Sequence, residues 1–138
     1  MLTNTTIGLI GEHIAASALL SHGLRVGMAQ QDKVDLIAWD EDRFYRVQVK
    51  SAQLNTRPNR QPSYHHALGA GSKSKILPTV KDYDIIALVG VHHRRCLFYA
   101  TEQVRQYTKR TLSKMYESET IEQDSLEKAL QIVKERLE

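Results

Sequence analysis

Four polar residues near the start of the chain have the types and spacing that phosphodiester hydrolysis requires. Glu12 lies in an N-terminal segment, Asp35 lies in an apolar run, and Gln48 and Lys50 stand two residues apart in the next run. Hydrolysis needs an activated water, neutralised charge around the phosphorus and a stabilised leaving oxygen, and a divalent cation meets several of these needs together. The pattern therefore predicts a metal-dependent phosphodiesterase site.

The chemistry of each side chain indicates its part in such a site. Magnesium prefers oxygen ligands and often takes only one or two carboxylates, so Asp35 is the expected anchoring ligand. The amide oxygen of Gln48 and the carbonyl of Val49 could complete the set, and Glu12 could ligate directly or through water. Lys50 would orient the attacking water or neutralise a phosphate oxygen, and with a lowered pKa it could act as general base.

The elements that must position these residues follow from periodicity. Residues 4–22 place apolar side chains at helical spacing, which predicts an amphipathic helix with Glu12 at the edge of its apolar stripe. Three strands of a meander are then predicted at 24–28, 33–39 and 43–51. Because side chains alternate along a strand, Asp35 approaches Gln48 and Lys50 if the faces of the second and third strands coincide.

The remainder of the chain supplies a loop, two more strands and helices. Residues 53–75 are rich in Pro, Asn, Gly, Ser and basic residues, which predicts a long loop with a short strand around 64–68. A strand pair at 84–91 and 96–100 would complete a sheet of about five strands. Beyond it we expect a short helix from Glu102 toward Tyr107 with Thr101 as its N-cap, and a C-terminal helix whose capping box begins at Asp124.

Charge is distributed unevenly along the chain. Residues 43–115 carry 14 basic and 3 acidic side chains, net +11, whereas residues 1–42 (2 basic, 6 acidic) and 116–138 (3 basic, 7 acidic) are each net −4. A basic middle indicates either a polyanion-binding face or a solvated surface, and charge alone favours neither. The candidate DNA contacts are Arg46, Arg57, Arg60, His66, Lys73 and Lys75.

Length and composition limit the class of protein. The chain of 138 residues suits one domain over 1–138, with a core at about 5–107 and a C-terminal helical segment at about 108–138. Cys96 is the single cysteine, so a disulfide framework or a cysteine-rich zinc site is not expected. No leader or apolar run of transmembrane length is visible, so we expect a cytoplasmic protein without a membrane partner.

Together, the motif residues resemble a known family. The pattern resembles the motif of the PD-(D/E)XK nuclease superfamily over most of residues 5–107. It consists, in order along a helix and a meander, of Gly11-Glu12, Asp35 and Gln48-Val49-Lys50. The pattern looks most like the small homing endonuclease type of cyanobacterial group I introns, in which Gln takes the second acidic position. The layout also resembles archaeal Holliday junction resolvases.

This resemblance implies a fold and an activity. The fold would be α/β, a restriction-endonuclease-like αβββαβ core with a mixed central sheet of about five strands flanked by helices. The activity would be cleavage of double-stranded DNA with Mg²⁺, for which Mn²⁺ is expected to substitute. Since one subunit holds one site, cutting both strands implies a homo-oligomer, a dimer or a tetramer.

Two positions depart from the motif and keep alternatives open. Val34 stands where the motif has proline, which carries no chemistry, but Gln48 removes one negative charge from the metal site. Gln48 and the basic middle therefore keep open a catalytically inactive DNA-binding module, and the similar layout keeps open a structure-specific nuclease like the Holliday junction resolvases.

Overall fold

A computed structural model describes residues 2–69 and 76–136. The helices and strands follow one another as α1 Asn4–Ser21, β1 Arg25–Gln31, β2 Val34–Trp39, β3 Phe44–Ala52, β4 Ser63–Ala67, β5 Ile85–Gly90, β6 Arg95–Ala100, β7 Thr108–Leu112, α2 Ser113–Glu117 and α3 Ile121–Arg136. A short 3₁₀ helix, Thr101–Gln103, follows β6.

The central sheet has five strands in the order β1-β2-β3-β5-β6. The first three form the predicted antiparallel meander, β5 runs parallel to β3, and β6 returns antiparallel to β5. Parallel neighbours need a crossover between them, and here the crossover includes β4, where the resemblance implied a helix. The expected mixed sheet of five strands flanked by helices is confirmed.

Both faces of this sheet are covered. On one face α1 and α3 pack through residues such as Leu19 and Leu126 against Leu36 and Phe98 of the sheet. On the other face Tyr64 of β4 and Tyr116 of α2 lie against the sheet. Every residue of β5 is consequently buried, which is typical of a strand sandwiched between two layers.

A second sheet of two strands, β4 and β7, was only half predicted. The short strand expected around 64–68 is present, but its partner β7 lies in the segment expected to be helical. Thr101 does not cap a helix toward Tyr107, because its hydroxyl donates to the carbonyl of Tyr83 and only a 3₁₀ turn forms. Tertiary pairing has overridden local propensity in this segment.

The C-terminal helix also differs in its start. It begins at Ile121, and the backbone N–H of Asp124 already donates to the carbonyl of Thr120, so Asp124 lies inside the helix and does not cap it. The stripe of Leu126, Ala129 and Val133 is buried against the chain's own sheet. Among residues 2–69 and 76–136, no helix is both long and apolar enough to cross a membrane.

The packing of α1 on β3 is exceptionally close at one point. A Cβ placed on Gly11 would lie 1.6 Å from the Oγ and 2.7 Å from the Cβ of Ser51. No larger residue fits there unless the helix and the strand separate. Gly11 therefore sets the height of α1 above the sheet, and with it the position of Glu12.

We predict opposite effects for two glycine substitutions in α1. Gly11→Ala should lower the free energy of unfolding by about 1–3 kcal/mol, the usual cost of overpacking a tight contact. Gly8→Ala should raise it by about 0.5–1 kcal/mol, because a Cβ there meets nothing within 4 Å and alanine restricts the unfolded chain. Urea unfolding of both variants measures this, and equal effects would contradict the close approach.

Candidate active site

The faces of β2 and β3 coincide as the predicted site requires. Ile37 lies opposite Arg46 and Trp39 lies opposite Phe44, with the rings of the last two 5.7 Å apart. Directly opposite residues of an antiparallel pair project from the same face. Continued by one step past its recorded end, this register places Asp35 opposite Gln48.

At this end of β2 and β3, backbone pairing stops and the side chain of Asp35 accepts a hydrogen bond from β3 in its place. The recorded register ends at Leu36 and Val47, and the backbone N–H of Val49 instead donates to Oδ2 of Asp35 at 2.8 Å. The N–H and the carbonyl of one strand residue point to the same edge, so the Val49 carbonyl also faces the side of Asp35. The hydrogen bond fixes the half-buried carboxylate at the gap between β2 and β3.

Glu12 approaches this gap from α1. Its pKa is raised above the usual value, first because burial disfavours the charged form and second because Asp35 is a nearby negative charge; His13 opposes the shift. A like charge is felt only at short range, so Glu12 and Asp35 share one electrostatic environment. The charge of Asp35 therefore acts on Glu12 from a different element of the fold.

Gln48 and Lys50 line a cleft of about 180 Å³ on the other side of β3 from α1. Leu68 and Gly69, just beyond β4, form part of its wall. At the rim of the cleft, the ammonium of Lys33 pairs with Asp82 at 3.2 Å. Lys50 is the second lysine that lines the cleft. Lys33, Asp82 and Tyr83 were not predicted, because their placement depends on how the crossover folds.

The oxygen donors at the gap are of the kind that a divalent cation binds. Within residues 2–69 and 76–136 no group of three acidic, His or Cys side chains is gathered, so the two carboxylates need other donors. The amide of Gln48, the carbonyl of Val49 and solvent would be those donors, and Mg²⁺ commonly accepts this kind of set. The raised pKa of Glu12 supports the fit, because a cation would relieve its repulsion from Asp35.

The predicted DNA contacts differ in how accessible they are. Arg57 and Arg60 are exposed, whereas Lys73 and Lys75 lie outside the described residues. Arg46 is held by the structure: its guanidinium pairs with Asp84 at 3.1 Å and donates to two backbone carbonyls.

His66 is placed away from solvent. It is 2% exposed, its Nε2–H donates to the carbonyl of Val89 at 3.1 Å, and burial lowers its pKa, which favours the neutral ring. A surface phosphate is therefore remote from this side chain. Its neighbour His65 is exposed instead, as alternation along β4 requires.

Comparison with known proteins agrees with the observed fold. The family model of the PD-(D/E)XK endonucleases matches residues 3–131. The fold is similar to that of a bacterial homing endonuclease, I-Ssp6803I, with a TM-score of 0.61 and 16% sequence identity over 81% of this chain and 77% of that one. No curated relative matches the chain. The predicted fold is confirmed.

We predict that Glu12→Gln changes the pH dependence of stability without metal. With its pKa raised in the folded state, Glu12 binds its proton more tightly there than in the unfolded chain, so stability falls as pH rises from the usual value near 4.5 through the raised one. The variant lacks this loss, and its urea midpoint in EDTA should exceed the wild-type midpoint at pH 7 but approach it at pH 4. Equal differences at both pH values would contradict the assignment.

Proposed function

Because the chain belongs to the PD-(D/E)XK endonuclease family, we propose that it is a divalent-metal-dependent endonuclease that hydrolyses phosphodiester bonds of double-stranded DNA inside the cell. One observation carries the proposal. The Asp35 carboxylate is fixed by the N–H of Val49 at the gap where β2 and β3 part, with Glu12 near enough to feel its charge.

Four oxygen donors would hold the cation: the carboxylates of Asp35 and Glu12, the amide oxygen of Gln48 and the carbonyl of Val49. A bound Mg²⁺ or Mn²⁺ supplies positive charge next to the phosphate and lowers the pKa of a water. Asp35 serves as the anchor because its orientation is already fixed by a hydrogen bond. Glu12, on a different element, would complete the set directly or through water.

Lys50 is the residue that we assign to the phosphate itself. It projects from β3 on the same face as Gln48, into the cleft that Leu68 and Gly69 help to form. A fixed ammonium there would neutralise a phosphate oxygen or orient the attacking water, which stabilises the transition state more than the ground state.

The substrate class follows from the structural neighbour and from symmetry. Since the similar structure is described as a homing endonuclease, we propose cleavage of linear duplex at specific sites. One site per subunit then requires a homo-oligomer, a dimer or a tetramer, to cut both strands. Gln48, which lowers the negative charge of the site, supports a second candidate function, a DNA-binding protein that does not cut.

We predict that Lys50→Ala and Asp35→Asn each lower Mg²⁺-dependent cleavage at least about 10²-fold, as expected when transition-state charge loses its partner. The assay would use a pool of random-sequence duplexes and a four-way junction, with Mg²⁺ or EDTA. Lys128→Ala, an exposed lysine on α3, is the matched control and should cut normally. Cleavage of the junction alone would favour a resolvase, and salt-sensitive binding without any cutting would favour the second candidate.

We predict that Gln48→Glu lowers the Mg²⁺ concentration needed for half-maximal cleavage several-fold, because the added charge strengthens cation binding. Gln131→Glu makes the same chemical change at an exposed position of α3 and should leave the requirement unaltered. An unchanged Mg²⁺ requirement in Gln48→Glu would remove Gln48 from the metal site.

A further inference from the structure

We propose that Arg57, Arg60 and Arg110 form a clamp for one backbone phosphate of the DNA, several nucleotides away from the bond that is cut. The three arginines line one small cleft beside the β4–β7 sheet, together with His65 and Asn55. The identity of the ligand as DNA rests on the proposed function. The geometry of the cleft does not.

The cleft has the size and lining of an oxyanion site. Its volume is about 50 Å³, which suits a small group such as one phosphate better than a whole base. All of its lining residues are polar or basic, and no carboxylate is among them. Guanidinium groups match phosphate oxygens in pairs, which makes arginine the residue suited to such a cleft.

Backbone hydrogen bonds hold the arginines in place. The N–H of Arg60 donates to the carbonyl of Arg57 at 3.2 Å, closing a turn in which Asn59 has a positive φ of 64°. Asn55 and Ser63 exchange backbone hydrogen bonds of 2.8 and 3.1 Å across the base of this loop. Two of the three arginines are therefore presented side by side by a closed loop.

The third arginine comes from β7. Arg110 lies opposite His65 in the register of the β4–β7 pair, and its Nη2 donates to the carbonyl of Gln61 at 3.3 Å. Strand pairing thus brings β7 to the turn of Arg57 and Arg60. Sequence reasoning missed Arg110 because it missed β7.

The charges of the clamp are not neutralised by the described part of the protein. Among residues 2–69 and 76–136, neither Arg57, Arg60 nor Arg110 has a carboxylate within 4.0 Å, whereas Arg46 and Arg136 both pair with Asp84. Three cations around one cleft repel each other, and an anion between them would relieve this repulsion. The clamp arginines are exposed and available for that purpose.

Strand β4 connects the clamp to the candidate active site. Ser63 at its start lines the clamp cleft, and Leu68 and Gly69 just past its end line the cleft of Lys50. Five to six residues of strand span about 17–20 Å, at roughly 3.3 Å each. One strand of duplex DNA winds around its axis, so its phosphates lie farther apart in space than their axial rise of about 3.4 Å, and a span of this length places the clamped phosphate about three nucleotides from the cut.

The first test measures how salt weakens binding to a random-sequence duplex in EDTA. Arg60→Gln/Arg110→Gln should reduce the slope of log Kd against log salt by about 1 and weaken binding roughly 10-fold. Arg25→Gln/Lys128→Gln removes the same charge from exposed positions elsewhere and should change neither by a comparable amount. Equal slopes in the two double variants, with both folded by circular dichroism, would overturn the clamp.

The second test locates the phosphate on a duplex that the wild-type protein cuts. A single neutral methylphosphonate about three nucleotides from the cut should weaken binding by the wild type but not by Arg110→Gln. Sensitivity spread evenly over all positions would overturn the clamp. A titration with inorganic phosphate is followed through the Nε signals of the arginines. If phosphate binds to the cleft while the two double variants show equal salt slopes for DNA, the cleft is a site for free anions. That result would also overturn the clamp.

The clamp and the proposed nuclease can fail separately. Metal-dependent cutting with equal salt slopes would remove the clamp and leave the nuclease. A selective loss of salt slope in Arg60→Gln/Arg110→Gln without any cutting would retain the clamp on a protein that binds DNA but does not cleave it.

Discussion

The separation of α1 from β3 is the constraint on which the candidate active site depends. Gly11 rests so closely on Ser51 that the backbones of the helix and the strand are held at a fixed height. Each of these contact residues adjoins a candidate site residue, Glu12 on the helix and Lys50 on the strand. Because a packed interior resists change by even one methyl group, the contact that closes the core also fixes the site.

The charges at the gap between β2 and β3 are arranged at some cost to the folded state. Asp35 is compensated by the N–H of Val49, but Glu12 faces both burial and the charge of Asp35, and its pKa rises in consequence. Carboxylate pKa values raised by burial and by a neighbouring negative charge are typical of functional sites, because repulsion between two carboxylates destabilises a fold that gains nothing from it. A cation held between the two groups, as proposed, would relieve this repulsion.

The parts that could be predicted from sequence are those in which local pattern and final structure agree. Helix α1 and the meander have strong periodicities, and alternation placed Asp35 beside Gln48 on the condition, met by the register of β2 and β3, that the faces of the two strands coincide. By contrast, β7 has no independent signal, since its strand conformation depends on β4. Likewise Arg46 looked like a DNA contact because its partner Asp84 lies 38 residues away, a pairing set only by the fold.

The uneven charge of the chain has a different meaning in three dimensions than along the sequence. Part of the basic middle is structural: Arg46 pairs with Asp84, and Arg95 donates to the carbonyls of Tyr116 and Ser118. Those arginines stabilise the sheet and its C-terminal elements, so the net +11 of this segment overstates the charge free to bind DNA. Of the remaining basic residues, Arg57, Arg60 and Arg110 lie together beside the β4–β7 sheet, on the sheet face opposite α1. A metal site at the end of β2 and β3 and a phosphate-binding surface on a separate ribbon would then divide catalysis and binding between two parts of the fold.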